Sequence, residues 1–166
     1  MDPPEVTYAG HRPGVIGKIT ELHAVYYHQH WGFDLSFEAQ VGEELSRFLS
    51  ELAPDRDTLL TAWAAGEFAG AVAIDGHSTP DLGARLRWFI VRPQFQGLGI
   101  GQGLLELALA FARGAGHGRV YLWTFRGLDD ARRLYERAGF RLREEHQVRQ
   151  WGGLIDEQRF DLVLAG

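Results

Sequence analysis

The stretch from Leu86 to Ala112 constrains the chain more than any other part of it. An apolar segment, Leu86 to Val91, is halted by Pro93 and reads as a buried strand. Then come Gln96-Gly97-Leu98-Gly99-Ile100-Gly101 and a segment in which Leu104, Leu105, Ala108, Phe111 and Ala112 share one helical face. Leu107 is apolar too, so this helix is expected to be well buried. Glycines at alternate positions let the backbone approach a ligand with no Cβ in the way. The loop opens onto a helix N-terminus, where the first N–H groups lack intrahelical partners and the dipole favours negative charge. A phosphate or pyrophosphate is the expected ligand of such a place. Glycines that merely cap and pack a helix would fit the same residues.

Two nucleotide fingerprints fail here. A P-loop needs a lysine after its last glycine, and the only lysine of the chain is Lys18. A dinucleotide loop needs G-x-G-x-x-G; counted from Gly97 the last position is Gln102, and from Gly99 it is Leu104. The single lysine also leaves little to build a pyridoxal enzyme from.

The flanking segments complete an α/β pattern. Val6-Thr7-Tyr8 reads as a short strand; Val15, Ile19, Leu22 and Tyr26 keep helical spacing up to Trp31-Gly32. Ser36 is the expected N-cap of a second helix with Phe37, Val41, Leu45, Phe48 and Leu49 as its stripe, ending at Ala53-Pro54-Asp55. Thr58 to Ala64 and Phe68 to Ile74, joined at Ala65-Gly66-Glu67, read as a hairpin, with Asp75 to Gly83 as loop. After Gly114 and Gly116, Val120 to Thr124 is a strand. Leu128, Ala131, Leu134, Tyr135 and Ala138 make a helical face closed by Gly139 and Phe140. Arg141 to Trp151 and Ile155 to Leu164 are two more strands, turned at Gly152-Gly153. The expectation is one α/β domain over residues 1–166, a mixed, mostly antiparallel sheet of about seven strands flanked by about four helices.

Composition sets outer bounds. At 166 residues the chain suits one domain. A net charge of −5 gives no long-range attraction to nucleic acid or an anionic membrane. The absence of cysteine removes disulfides, thiolate metal sites and a cysteine nucleophile. Met1-Asp2-Pro3-Pro4-Glu5 is acidic and proline-rich, unlike a signal peptide, and the apolar runs are short or interrupted at Gly66-Glu67. A cytoplasmic protein is the expectation.

The glycine loop resembles the acetyl-CoA-binding motif of the GCN5-related N-acetyltransferase (GNAT) family, Arg/Gln-x-x-Gly-x-Gly/Ala between a strand and a helix. Gln96 to Gly101 matches it in full. Ile90-Val91-Arg92-Pro93 before the loop and Leu134-Tyr135-Glu136-Arg137-Ala138-Gly139-Phe140 after it are similar to the family's strand end and tyrosine-bearing helix. The element order is also the family's, over nearly the whole chain. His23 to Asp34, with its aromatic cluster and Gly-Phe-Asp, resembles the acetyltransferase domain that follows a MarR-type DNA-binding domain in fused regulators.

The resemblance implies an acyl-CoA-dependent N-acyltransferase in which acetyl-CoA is the co-substrate and an amine attacks the thioester directly. Backbone groups of Phe89, Ile90 and Val91 would pair with the pantetheine arm as an added strand, and the N–H near Ile90 would polarise the thioester carbonyl. Gln96, Gly97, Leu98, Gly99, Ile100, Gly101 and Gln102 would hold the pyrophosphate, with Arg132 reaching a CoA phosphate. Tyr135 would protonate the leaving thiolate. On the helix pattern alone Tyr135 is equally a packed core residue. Two family features are missing: an Asn before the tyrosine helix, where Phe125 and Leu128 stand, and an acidic base on Leu86 to Val91. A non-catalytic acyl-CoA- or ligand-sensing module on the same fold therefore stays as an alternative.

Tyr26-Tyr27-His28-Gln29-His30-Trp31 sits where the family lines its acceptor pocket, so Tyr26, His30 and Trp31 are candidate acceptor residues, joined by Trp88 and Trp123. Solvated histidines at a packed helix end are the plainer account. His28-x-His30 points its rings apart on a helix and has no carboxylate support, so no metal is expected. Trp63 is expected in the core, and Arg133, Arg141 and Arg143 on a solvated face. An aromatic, histidine-rich pocket speaks against a polycation as acceptor. The expected partners are a small-molecule or peptide amine and a second copy in a homodimer, with no nucleic acid and no membrane.

Overall fold

The computed structural model describes residues 2–79 and 81–164. Among these residues seven strands form one sheet: β1 (Val6–Ala9), β2 (Thr58–Ala64), β3 (Glu67–Thr79), β4 (Gly83–Val91), β5 (Arg119–Phe125), β6 (Arg141–Gln150) and β7 (Gly153–Val163). Their spatial order is β1-β2-β3-β4-β5-β7-β6. Every neighbouring pair is antiparallel except β4 and β5. The helices are α1 (Val15–Trp31), α2 (Leu35–Ser50), α3 (Ile100–Gly114) and α4 (Asp129–Ala138). The expected mixed α/β sheet is the observed one.

The period-2 alternation of β3 distributes the helices. Ala71 and Ala73 pack with Val15 and Ile19 of α1 and Leu45 and Phe48 of α2. Val72 and Ile74 point the other way, to Ile100, Leu104 and Ala108 of α3, in a core that also takes Tyr135 of α4 and Phe160 of β7. The sheet is thus covered by α1 and α2 on one face and by α3 and α4 on the other. Trp63 is buried against Phe68, with its indole N–H donating to Thr61 Oγ1 at 2.9 Å. Leu107 departs from expectation. It is 40% exposed, because at about 100° per residue it falls just outside the face that Leu104, Leu105, Ala108 and Leu109 bury.

Three element boundaries differ from the sequence reading. Asp34, not Ser36, caps α2: its carboxylate accepts the Ser36 backbone N–H at 3.0 Å, and its own N–H donates to the Trp151 carbonyl across the fold. The expected loop Asp75 to Gly83 is mostly strand, β3 running to Thr79 and β4 starting at Gly83, with Asp75 paired to Arg85 and Thr79 to Gly83. Pro80 lies outside the described residues. A buried carboxylate, Asp57, makes the extension possible by accepting the Gly76 N–H at 2.8 Å where the ladder shifts register. The last turn falls on Trp151-Gly152, one residue early, both at positive φ (53° and 88°), as a two-residue hairpin requires.

Candidate active site

β4 and β5 hold the site because they separate. Among the described residues they pair only at Ala84↔Val120 and Arg85↔Tyr121, although β4 continues to Val91 and β5 to Phe125. Beyond that point the backbone groups on this side of β4 have no ladder partner, and a groove of about 940 Å³ opens between the strands and runs through to both faces of the sheet. β4 is also bulged. Ala71 pairs with Ile90 and Ala73 with Arg87, so Val72 alone faces both Trp88 and Phe89. Trp88 takes φ 49°, unusual for a bulky residue. The surplus residue bends the strand. It also puts Trp88 on the α1/α2 face, against Phe48 at 5.4 Å, and Phe89 on the α3/α4 face, 5.8 Å from Tyr135.

At one end of the groove lies the N-terminus of α3. Gly99 caps it in the left-handed conformation (φ 77°) and offers no side-chain hydrogen bond. The first N–H taken up within the helix is that of Gly103, which donates to the Gly99 carbonyl at 3.0 Å. The N–H groups of Ile100, Gly101 and Gln102 precede it and have no helical acceptor. Gly97 (φ 85°) is left-handed as well, and a Cβ at Gly97 or Gly99 would stand in open space, so what these positions demand is backbone conformation. Gln96, Gly97, Gly99, Ile100, Gly101 and Gln102 all line the groove. Leu98 does not; it packs against the α3 core.

Of the arginines on α4, Arg133 and Arg137 line the groove. Arg132 is turned away from it, over the Phe160 ring at 5.5 Å and bonded to Glu136. Residues one apart on a helix point about 100° apart, whereas an i, i+4 pair shares a face, which explains both placements. Tyr135 is 5% exposed and lines the groove between Phe89 and Phe140. Burial, then the nearby Tyr27, pushes its phenol well above the usual value, so it keeps its proton throughout the working pH range.

The other end of the groove lies under α1 and α2. Tyr26, Trp88 and Trp123 are there as expected, whereas His30 and Trp31 stay at the helix end, His30 on Tyr26 at 4.4 Å and Trp31 on Phe125 at 5.2 Å. The sequence reading passed over His23, Tyr27, Glu44, Arg85, Arg87 and Trp151, all of which line this end. His23 had a signal: with Ile19 and Tyr27 it follows i, i+4 spacing on the buried face. Its Nδ1 lies 2.8 Å from the Ile19 carbonyl, which can only accept, so Nδ1 carries the hydrogen and Nε2 the lone pair. Among the described residues no group of three or more potential metal-ligating side chains occurs.

Burial lowers the His23 pKa to about 4, with the Ile19 bond opposing only in part. A folded value below the unfolded one means that the unfolded chain takes up the proton first as the pH falls. Stability is therefore complete above about pH 6.5 and declines towards pH 4, by roughly 3 kcal/mol if His23 acts alone. Urea melts at pH 7.5 and 5 will show this as a lowered midpoint. The His23→Gln variant is expected to flatten the dependence.

The sequence of this chain matches the model of the acetyltransferase (GNAT) family over residues 18–140. The chain belongs to that family. It is an acyl-CoA-dependent acetyltransferase, with acetyl-CoA as donor and an amine as acceptor. An uncharacterized N-acetyltransferase of Schizosaccharomyces pombe is 29% identical over 121 residues, 72% of this chain and 73% of the yeast protein. Among solved structures, yncA of Salmonella typhimurium with its cofactor acetyl-CoA superposes with a TM-score of 0.72 at 18% identity, covering 96% of this chain and 94% of that one. The spermidine N-acetyltransferase of Vibrio cholerae, in complex with CoA and spermine, gives 0.71 at 18% identity, with 95% of each chain covered. The residues present fit the donor. Unclaimed N–H groups at α3 suit a pyrophosphate, and the unpaired edge of β4 suits an extended amide-bearing arm.

Proposed function

We propose that this GNAT enzyme transfers acetyl in a ternary complex, with the donor along β4 and α3 and the acceptor entering from the α1/α2 side. The single observation that carries the reading is the continuity of the groove. It runs from the open N-terminus of α3, along the unpaired edge of β4, past Tyr135, to a pocket on the opposite face.

The residue roles follow from that path. The N–H groups of Gly97, Gly99, Gly101 and Gln102 hold the pyrophosphate, and Arg137, with Arg133 beside its partner Asp130 at 2.7 Å, rather than Arg132, supplies positive charge next to it. Phe89, Ile90 and Val91 pair with the pantetheine arm, and an N–H of this bulged segment donates to the thioester oxygen as charge gathers there. The acceptor nitrogen attacks the acetyl carbon, the C–S bond breaks, and the Tyr135 O–H donates its proton to the departing sulfur, which leaves as the thiol, Tyr135 then regaining a proton from solvent through the groove. The proton lost by the amine passes to solvent at the acceptor end, where Glu44 and Glu157 are the lining carboxylates. His23 stays neutral and serves as a hydrogen-bond acceptor, since a group with a pKa of about 4 cannot keep the proton of an alkylammonium at neutral pH. No cysteine is present to form an acyl-enzyme, which supports direct attack.

No helix among the described residues is long and apolar enough to cross a membrane. We assign the enzyme to the cytoplasm as a homodimer, the dimer being supported by the exposed Leu142 and Leu154 on β6 and β7. Thermal denaturation with acetyl-CoA, ATP and NAD tests the donor. At a hundred times its Kd a ligand adds about 2.7 kcal/mol. That raises the midpoint of a domain this size by roughly 5–10 °C. The rise is expected with acetyl-CoA alone, and its absence at millimolar acetyl-CoA would refute the donor assignment. Binding without turnover over a broad amine panel would favour a sensing module instead.

A further inference from the structure

Arg85 is a charge that acetyl transfer itself does not use. It stands on β4 at the acceptor end of the groove, with Arg87 two residues on and Glu44 and Asp75 nearby. Both acids are taken by Arg87. Glu44 Oε2 lies 2.6 Å from its Nη2, and Asp75 Oδ2 lies 3.3 Å from its Nη1. The remaining oxygens are also engaged, Glu44 Oε1 with Gln40 at 3.4 Å and Asp75 Oδ1 with the His77 N–H at 3.0 Å. Asp75 is nevertheless the residue directly opposite Arg85 in the β3–β4 ladder. Arg87 is held further by the Trp88 ring, 4.2 Å from its guanidinium carbon.

Arg85 is left over. Its Nε is shut off from solvent and has no acceptor among the described residues. Burial, then repulsion by Arg87, lowers its pKa below the ordinary arginine value, an effect that Tyr121, Glu44 and Asp75 offset only in part. A buried donor without an acceptor is costly to a fold, and the residue that carries it lines the pocket where the acceptor must sit.

We propose that Arg85 anchors an anionic group on the acceptor, so that the substrate is an amine that also carries a carboxylate, an amino acid or short peptide rather than a polyamine. The inference rests on the acetyltransferase reading and names the substrate class of the same site. A guanidinium offers a planar fork that matches a carboxylate with two parallel hydrogen bonds. Trp88 and Trp123 give the pocket aromatic walls for the acceptor's apolar part.

The test uses the full chain, acetyl-CoA and matched acceptors: the amino acids and a set of dipeptides, each beside its C-terminal amide, with spermidine as the cation. The best carboxylate is expected to exceed its amide in kcat/KM by about 10- to 100-fold, the range for a hydrogen bond to a charged group. Arg85→Gln should abolish that preference, mainly through the KM of the carboxylate, bringing the carboxylate-to-amide ratio of kcat/KM close to one. Arg85→Lys should restore part of it. An unchanged acetyl-CoA thermal shift shows that each variant is folded. Amides or spermidine serving the unaltered enzyme as well as carboxylates would overturn the proposal, and this comparison stands even if a variant fails to fold. Equal loss on both members of a pair in Arg85→Gln would also overturn it. Turnover of no amine by a protein that binds acetyl-CoA would instead overturn the enzymatic reading beneath it.

Discussion

Replacing Tyr135 by Phe is expected to lower kcat by about 10²-fold or more, the range for a positioned proton donor, while acetyl-CoA binding and stability change little. The groove wall keeps its ring. The phenyl group of the variant would still meet Phe89, Phe140 and Phe160, whose centroids lie 5.8, 5.9 and 6.2 Å from that of Tyr135. Only the hydroxyl goes, from a residue that lines the groove, so no buried group is orphaned. Steady-state kinetics with a free-thiol assay, beside an acetyl-CoA melt, separate the two effects. A variant that turns over at the original rate would make Tyr135 a packing residue and remove it from the chemistry.

The second large effect is on donor affinity. Gly101→Asp should weaken acetyl-CoA binding by more than about 100-fold, the scale of a carboxylate set against a bound anion in place of a favourable charged hydrogen bond. The stability of the unliganded protein should hold or rise. The position is in the first turn of α3, which has no acidic residue, and a negative side chain there suits the helix dipole. Removing a helical glycine adds about 0.5–1 kcal/mol in the same direction. Against this, a Cβ at Gly101 would lie 3.1 Å from Leu134 Cδ1, a side-chain end that can give by a few tenths of an ångström. Opposite signs for stability and affinity are the signature. Calorimetric titration with CoA and a melt without ligand read the two separately, and an unchanged affinity would move the phosphate site elsewhere.

Local chemistry made much of the fold legible. The strand, glycine loop and helix around Gly97, Gly99 and Gly101 could be placed because positive φ and free N–H groups are properties of a few consecutive residues. Gly32 and Gly139 mark helix ends for the same reason, both left-handed at 70° and 104°. What stayed hidden depends on distant partners. Asp34 and Ser36 can each cap a helix, and the choice was made by the Trp151 carbonyl, more than a hundred residues away. The strand ends beyond Asp75 rest on Asp57 reaching across to Gly76. Arg132 and Arg133 look alike in sequence, and only the rotation of α4 against the sheet separates them. Arg85 and Arg87 stand on one strand face with equal claims to nearby acids, and the contacts, not the spacing, decide which one is paired. The bulge was invisible because Trp88 and Phe89 are both apolar, so hydrophobicity carried no trace of the slipped alternation.

That bulge makes the groove a question of counting. Arg87 and Trp88 share a face, so a chain shortened by Trp88 alone would keep every other side chain of β4 where it now points. Val72 would then face a single residue, and β3 would meet an uninterrupted ladder. The bend that the surplus residue gives β4 would be lost, and with it a barrier to further pairing between β4 and β5. Sheet regularity and an open seam are therefore competing outcomes of the same strand, separated by one inserted residue. Acceptor choice can be altered by exchanging groove-facing side chains of β4, whereas a change in its length alters the seam itself.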